Sequence, residues 1–405
     1  MKINILKKVV VNIARVILAV TLIFSGFVKA VDPLGTQYKI TDYLTALELG
    51  KYVPDFVTLG TSILLSGFEF VLGVCLLFAI QRRLTSLLTL LTMAVMTVIT
   101  LWLAVANPVS DCGCFGDAIV LTNWQTFGKN IVLLLLSVIV WRGALHMVRF
   151  ISQASQWIVI NYTMVFILVV SGWSLYDLPY FDFRPYHVGT NLRQGWQRTM
   201  DGADLPYADL FMERMDDGED ITEELLNNPG YVLLLVSPHL ETADDSQLDL
   251  LNQMYEYAED NGYPFYCLTA SGEQAISNWR ETTGAEYPFC QTDDIVLKTV
   301  IRSNPGLLLL KDGVIIRKWS HNRMPDEYAL SDRLENLKIG KMPIDSIPQK
   351  ILVIVLWYVL PLLVLTIADR LWSWTHWMRR RHKTKAKDEG ETQITKDKNE
   401  NVNET

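Results

Sequence analysis

The sequence predicts a multi-pass α-helical membrane bundle carrying an α/β domain outside the lipid. Three observations predict it. Apolar runs near the roughly 20 residues that cross a bilayer recur at 9–31, 58–80, 84–106, 127–141, 157–175 and 351–371. Basic residues gather at alternate ends of these runs. Between the fifth and sixth runs, short apolar strands alternate with helix-period segments, the pattern of a sheet covered by helices. Hydrophobic residues make up 50% of the 405, a high share for a water-soluble chain.

The basic residues set the expected topology. Lys2, Lys7 and Lys8 precede the first run, and Arg82 and Arg83 separate the second from the third. Arg142 and Arg149 lie between the fourth and fifth, and Arg379, Arg380, Arg381, Lys383, Lys385 and Lys387 follow the sixth. The positive-inside rule places all of them in the cytoplasm. Both termini are then cytoplasmic, the expected location is a bacterial inner membrane, and the loop after the third run and residues 176–350 are periplasmic, in an oxidising compartment. Val28-Lys29-Ala30 has the look of a signal-peptide cut site, but Arg15 interrupts the apolar run before it, and it reads as a retained span.

The boundaries that follow are a four-helix membrane domain at 1–145, a fifth span at 146–175, a connector at 176–228, an α/β domain at 229–346, a sixth span at 347–378 and a basic, then disordered tail at 379–405. The net charge of −8 and the lack of any basic, aromatic-interleaved motif exclude nucleic acid as a partner. The partners expected instead are the lipid bilayer and an extracytoplasmic protein.

The most chemically distinctive stretch is Asp111-Cys112-Gly113-Cys114-Phe115-Gly116-Asp117, after the third run. Two thiols at i and i+2 bridge only if the backbone bends to bring their Cα atoms within about 4.4–6.8 Å, and Gly113 permits that bend. A ring this small is expected to be strained, and strained, exposed disulfides are the labile ones. Lys129 opens the fourth run on the same side; a nearby cation raises the thiolate fraction, whereas Asp111 and Asp117 act the other way. The bland alternative is an inert thiol pair. Zinc is a poor fit, since no histidine lies nearby to complete a four-ligand set.

Charges inside the runs need partners. At 1.5 Å rise per residue, antiparallel spans would bring Arg15 and Glu69 to about 8 Å in depth, with Lys29 further from Glu69. The expectation is an Arg15–Glu69 pair fixing the bundle; the alternative is a polar pocket for a quinone head group or a proton path. Cys75, in the second run, reads as a small buried hydrophobe.

Beyond the fifth run, 181–186 reads as an extended connector and 216–224 as a solvated acidic face. Then come a strand at 231–236, a helix at 246–261, a strand at 263–269, helices at 272–283 and 294–302, and a hairpin at 307–310 and 314–319 turning on Lys311-Asp312-Gly313. Cys267 reads as core, and Cys290 as the more exposed thiol and a candidate resolving partner. Pro361 is expected to kink the last span.

Two resemblances rest on these residues. Arg15, Phe24-Ser25-Gly26-Phe27-Val28-Lys29, Asp32-Pro33, Glu69, Gly73, Cys112-Gly113-Cys114-Phe115-Gly116, Trp124 and Asn130 together resemble the DoxX/MauE superfamily of four-helix membrane proteins, in its MauE branch, over about 1–145. That resemblance implies a redox or maturation role of the kind associated with methylamine utilisation, where a thioredoxin-like partner helps form disulfides in an extracytoplasmic enzyme subunit. The 231–319 order, with Ser303-Asn304-Pro305-Gly306 before the hairpin, resembles the thioredoxin fold and implies a cis Pro305. The thioredoxin Cys-x-x-Cys is missing: Ser237-Pro238-His239 stands after the first strand.

Two functions follow as expectations. One is a thiol–disulfide or electron relay through Cys112 and Cys114, supported by Gly113, Lys129, Arg15, Glu69 and Pro305 and served by a membrane quinone. The other is a non-catalytic assembly factor whose thioredoxin-like domain holds a partner. A transporter is weaker, since one Glu and one Arg do not make an ion pathway.

Overall fold

A computed structural model describes residues 2–109, 112–203, 205–343, 347–376 and 378. Asp111 and the expected basic run and polar tail from 379 onward lie outside these residues.

Among the described residues, six helices are long and apolar enough to cross a membrane. They are α1 (Lys2–Val31), α3 (Asp55–Phe78), α4 (Arg82–Ala106), α5 (Asn123–Arg142), α6 (Gln156–Tyr176) and α12 (Ile347–His376); a shorter helix, α2 (Pro33–Ala46), follows α1. The bundle is organised on the α1–α3 pair. A Cβ on Gly26 would lie 2.4 Å from the Phe70 backbone nitrogen, and one on Gly73 would lie 2.8 Å from that of Ile23. Only glycine allows this approach, the small-residue packing that replaces the hydrophobic effect in lipid. The α4–α5 pair is joined by a polar contact, Asn130 Nδ2 to Thr100 Oγ1 at 3.1 Å.

Helix α12 closes against α6. Its turn at Val355–Val359 is π-helical, and Pro361 follows. Proline has no N–H to donate to the Trp357 carbonyl four residues back; the Tyr162 hydroxyl of α6 donates to it instead. A neighbouring helix thus satisfies the freed backbone group, as a lipid environment demands.

The α/β domain holds α7 (Leu192–Met200), β1 (Glu213–Arg214), α8 (Thr222–Asn227), β2 (Tyr231–Val236), α9 (Leu248–Asn261), β3 (Phe265–Thr269), α10 (Glu273–Thr283), β4 (Phe289–Gln291), α11 (Asp294–Val300), β5 (Gly306–Lys311) and β6 (Val314–Ser320). The sheet order is β1-β4-β3-β2-β5-β6. Strands β2, β3 and β4 run parallel, and β5 and β6 continue antiparallel. All six residues of β2 are buried, as its unbroken apolar run requires of a strand covered on both faces. Leu233 and Leu235 pack under α9 and α10, while Val232, Leu234 and Val236 face α8 and α11. The Asn304–Pro305 bond is cis, as the thioredoxin resemblance implies. Sheet order and this proline make the domain thioredoxin-like.

Candidate redox site at the head of the bundle

The Cys112–Cys114 loop lies at the end of the bundle that carries the thioredoxin-like domain. The two sulfurs are bonded, with Cα atoms 5.4 Å apart. Gly113 takes φ +61° and Gly116 φ +51°, the left-handed conformation that costs glycine little. The Gly116 N–H donates to the Gly113 carbonyl at 3.0 Å, closing the turn behind the pair. Both cysteines are half-buried.

Three side chains hold the loop from below. The Tyr43 hydroxyl on α2 donates to the Cys112 carbonyl. The Ser25 hydroxyl on α1 lies 2.7 Å from the Cys114 carbonyl and 2.7 Å from Glu69 Oε2. It has one proton and serves one acceptor at a time. Lys129 places its ammonium 4.0 Å from the centre of the Phe115 ring, a cation–π contact one residue from Cys114.

The charge below the loop corrects one expectation. Glu69 pairs with Lys29 at 2.7 Å, both side chains buried, and not with Arg15. Residue 26 faces 70 and residue 23 faces 73, so residue 15 falls opposite the turn after Phe78. There Arg15 donates to the Val148 carbonyl at 2.6 Å and stacks on Phe150. Helix α1 continues past the end of α3, and residues 145–150 pack there, so the two apolar runs do not start and stop at one depth. The polar spot therefore adjoins the disulfide, while Arg15 lies away from it.

Above the loop, the thioredoxin-like domain makes contact through Arg302. Its guanidinium is 2.9 Å from Asp32, 3.5 Å from Asp117, and stacked on Tyr38. Asp32 caps α2 by accepting the Gly35 N–H. Burial would raise the Asp32 carboxyl, but the charges of Arg302 and Arg184 and the hydrogen bonds from Arg302 and Gly35 hold it below the ordinary value. At Asp117 burial wins over Arg302, and that carboxyl is raised. A cavity of about 270 Å³ opens here, walled by Gly113, Gly116, Asp117, Asp32, Lys298 and Arg302.

The thioredoxin-like domain offers no second thiol pair. At the end of β2, Ser237 donates to Asn304 Oδ1 at 2.6 Å and Asn304 Nδ2 to the His239 carbonyl at 2.8 Å, so side-chain hydrogen bonds fill the place of a dithiol. Cys267 and Cys290 are fully buried, on opposite faces of the sheet. This corrects the reading of Cys290 as exposed: it sits in β4, covered by α11. Burial pushes the Cys290 thiol up to about 12 and Cys267 well above the ordinary range.

Sequence reasoning does not place α2 and gives no role to Ser25, Tyr43 or Arg302. The α2 signal was present: Asp32-Pro33 is an N-cap followed by proline at the first helical position. Nothing local marked Arg302, whose partners are 270 and 185 residues away in the chain.

Residues 7–143 match the family model for methylamine utilisation protein MauE. The match covers the first third of the chain, from α1 to α5. No curated protein matches the chain. The chain is similar to a candidate protein disulfide isomerase from Bacteroides thetaiotaomicron, solved in solution: identity is 15%, TM-score 0.24, with 30% of this chain and 80% of that one covered. It is similar also to a cysteine-to-serine mutant of Xanthomonas campestris peroxiredoxin Q, at 15% identity and TM-score 0.22, covering 30% of this chain and 88% of that one. The thioredoxin-like assignment rests on the strand order and cis Pro305, and the MauE assignment on the first third of the chain.

Proposed function

We propose that this membrane protein is a thiol–disulfide relay working through Cys112 and Cys114 at the extracytoplasmic face. The observation that carries the reading is the bonded Cys112–Cys114 pair beside buried Lys29 and Glu69, with the Lys129 ammonium on the adjoining Phe115 ring. A bundle that needed only to anchor a domain has no use for such an arrangement, and buried charges in lipid usually mark a pathway.

In the exchange, a thiolate of an extracytoplasmic protein attacks one sulfur of the pair. A mixed disulfide forms, the Cys112–Cys114 bond breaks, and the displaced sulfur takes a proton. The partner's second thiolate then attacks its own half of the mixed disulfide, forming the partner's disulfide and leaving Cys112 and Cys114 as thiols. Two electrons and two protons have moved to the pair. A lipid-soluble quinone, if bound, would supply the two-electron oxidant, taking both as it became quinol, so that Cys112 and Cys114 re-form their bond. The Lys29–Ser25–Glu69 network is buried between α1 and α3, directly beneath the Cys114 carbonyl. The thioredoxin-like domain, without a dithiol of its own, holds the partner.

The test uses the full chain in its native membrane. Cys114→Ser removes the disulfide that the partner attacks, so thiols of an extracytoplasmic protein should stay reduced, seen as an added alkylation mass shift. Alkylation mass shifts of the wild-type pair should report both oxidation states across growth conditions. A pair locked in one state under every condition, or unchanged thiol trapping of extracytoplasmic proteins in the Cys112→Ser/Cys114→Ser double variant, overturns the reading.

A further inference from the structure

The thioredoxin-like domain touches the disulfide loop at one well-built point. Arg302 is 7% exposed at its side chain and reaches both arms of the cradle around the sulfurs. One arm is Asp117, three residues after Cys114. The other is Asp32, the N-cap of α2; that helix carries Tyr43, which donates to the Cys112 carbonyl, and Lys39, whose side chain packs against Gly113. The guanidinium is held in turn by the Tyr38 ring and by donation to the Lys298 carbonyl. Arg302 leads directly into Ser303-Asn304 and cis Pro305, and Asn304 is bonded to the segment after β2.

We propose that Arg302 is a positioning residue for the Cys112–Cys114 pair, so that the thioredoxin-like domain sets how readily that pair is reduced. The inference rests on the redox reading of the same two cysteines. Its physical basis is effective concentration. Asp117 fixes the chain just after Cys114, and α2 holds the backbone between the two cysteines through the Cys112 carbonyl and Gly113. Both restraints keep the two thiols close in the reduced form, which favours re-forming the bond. Releasing the arms lets the reduced loop spread, and the dithiol gains freedom that the disulfide cannot use. Arg302 also ties the loop to the Asn304–Pro305 turn, so a partner bound at that turn acts on the same cradle.

The experiment equilibrates full-length protein in native membranes with glutathione buffers of graded ratio, and reads Cys112 and Cys114 by alkylation mass shift. Arg302→Gln should move the equilibrium about tenfold toward the dithiol, which is about 30 mV for a two-electron couple. Asp117→Asn, which releases only the arm after Cys114, should move it in the same direction by less, and Arg302→Lys should recover part of the shift. A purely structural role would lower thermal stability while leaving the midpoint where it was. Wild-type midpoints in both Arg302→Gln and Asp117→Asn overturn the inference; if Arg302→Gln does not accumulate, a wild-type midpoint in Asp117→Asn alone does so. If the wild-type pair fails to titrate at any ratio, the redox reading itself is what fails.

Discussion

Lys29 and Glu69 form an ion pair at 2.7 Å inside the bundle, and Ser25 links that pair to the carbonyl of Cys114. The pair is buried and doubly hydrogen-bonded, with Lys29 Nζ within 2.8 Å of both Glu69 oxygens. Removing one partner leaves an uncompensated charge, which costs about 3–5 kcal/mol; replacing both with apolar residues of similar size is often neutral. Glu69→Ala is therefore expected to destabilise the membrane domain by that amount, and Lys29→Met/Glu69→Leu to restore most of it. Thermal unfolding in detergent measures both. Arg15→Met should not couple to Glu69→Ala, because Arg15 bonds to Val148 instead; a double-mutant cycle with strong coupling would refute this placement.

The two buried thiols of the sheet should be chemically silent. With the Cys290 thiol at about 12, its thiolate fraction at pH 8 is about a thousandfold below that of a free cysteine. Iodoacetamide should label neither Cys267 nor Cys290 in the folded protein at pH 8 and should label both after denaturation. Labelling of Cys290 at the rate of a free thiol would show that β4 opens from the sheet.

The reach of sequence reasoning varies with the physics of each element. Strand β2 is legible because six apolar residues stand between Gly230 and Ser237-Pro238, too few for a helix and without any polar alternation. The cis Pro305 is legible because it precedes a hairpin in the thioredoxin order. Strand β4 is not, since Phe289–Gln291 is too short to show a period. Helix α2 mixes Tyr, Gln, Lys and Thr with few apolar residues, so only its Asp32-Pro33 cap announces it. Within the candidate site, Cys112, Gly113, Cys114 and Lys129 are local and could be read directly. Lys29, Ser25 and Arg302 depend on helix register and domain docking, which no single segment encodes.

The Arg302 contact should resist mild acid. The Asp32 carboxyl lies below its ordinary value of 3.8 in the folded protein. A carboxyl lowered on folding contributes stability that is fully present above its unfolded value and lost as pH falls through the folded one. Asp182, beside Lys318 and Arg184, is lowered further. Asp117 runs the opposite way: its carboxyl is raised, so it takes up a proton first. On acidification the Asp117 arm should weaken while the Asp32–Arg302 bond persists to below about pH 4. Hydrogen exchange of the 32–43 and 112–118 amides checks the order; simultaneous loss of protection in both would contradict it.

A side chain at Gly113 should weaken the bonded loop. At φ +61° an alanine costs roughly 1–2 kcal/mol in the left-handed region, and its Cβ would stand 3.1 Å from Lys39 Cγ. Lys39 is flexible enough to give way, so the backbone carries most of the penalty. That penalty falls on the bonded loop, since a free dithiol can let the residue return to negative φ. Gly113→Ala should thus shift Cys112 and Cys114 toward the reduced form by about 5- to 30-fold in equilibrium with a glutathione buffer. Gly113→Asn, a residue that visits the left-handed region more readily, should shift it less. The two variants separate backbone conformation from crowding: Asn is larger than Ala, so a greater shift for Asn would mean that contact with Lys39, and not φ, governs the loop.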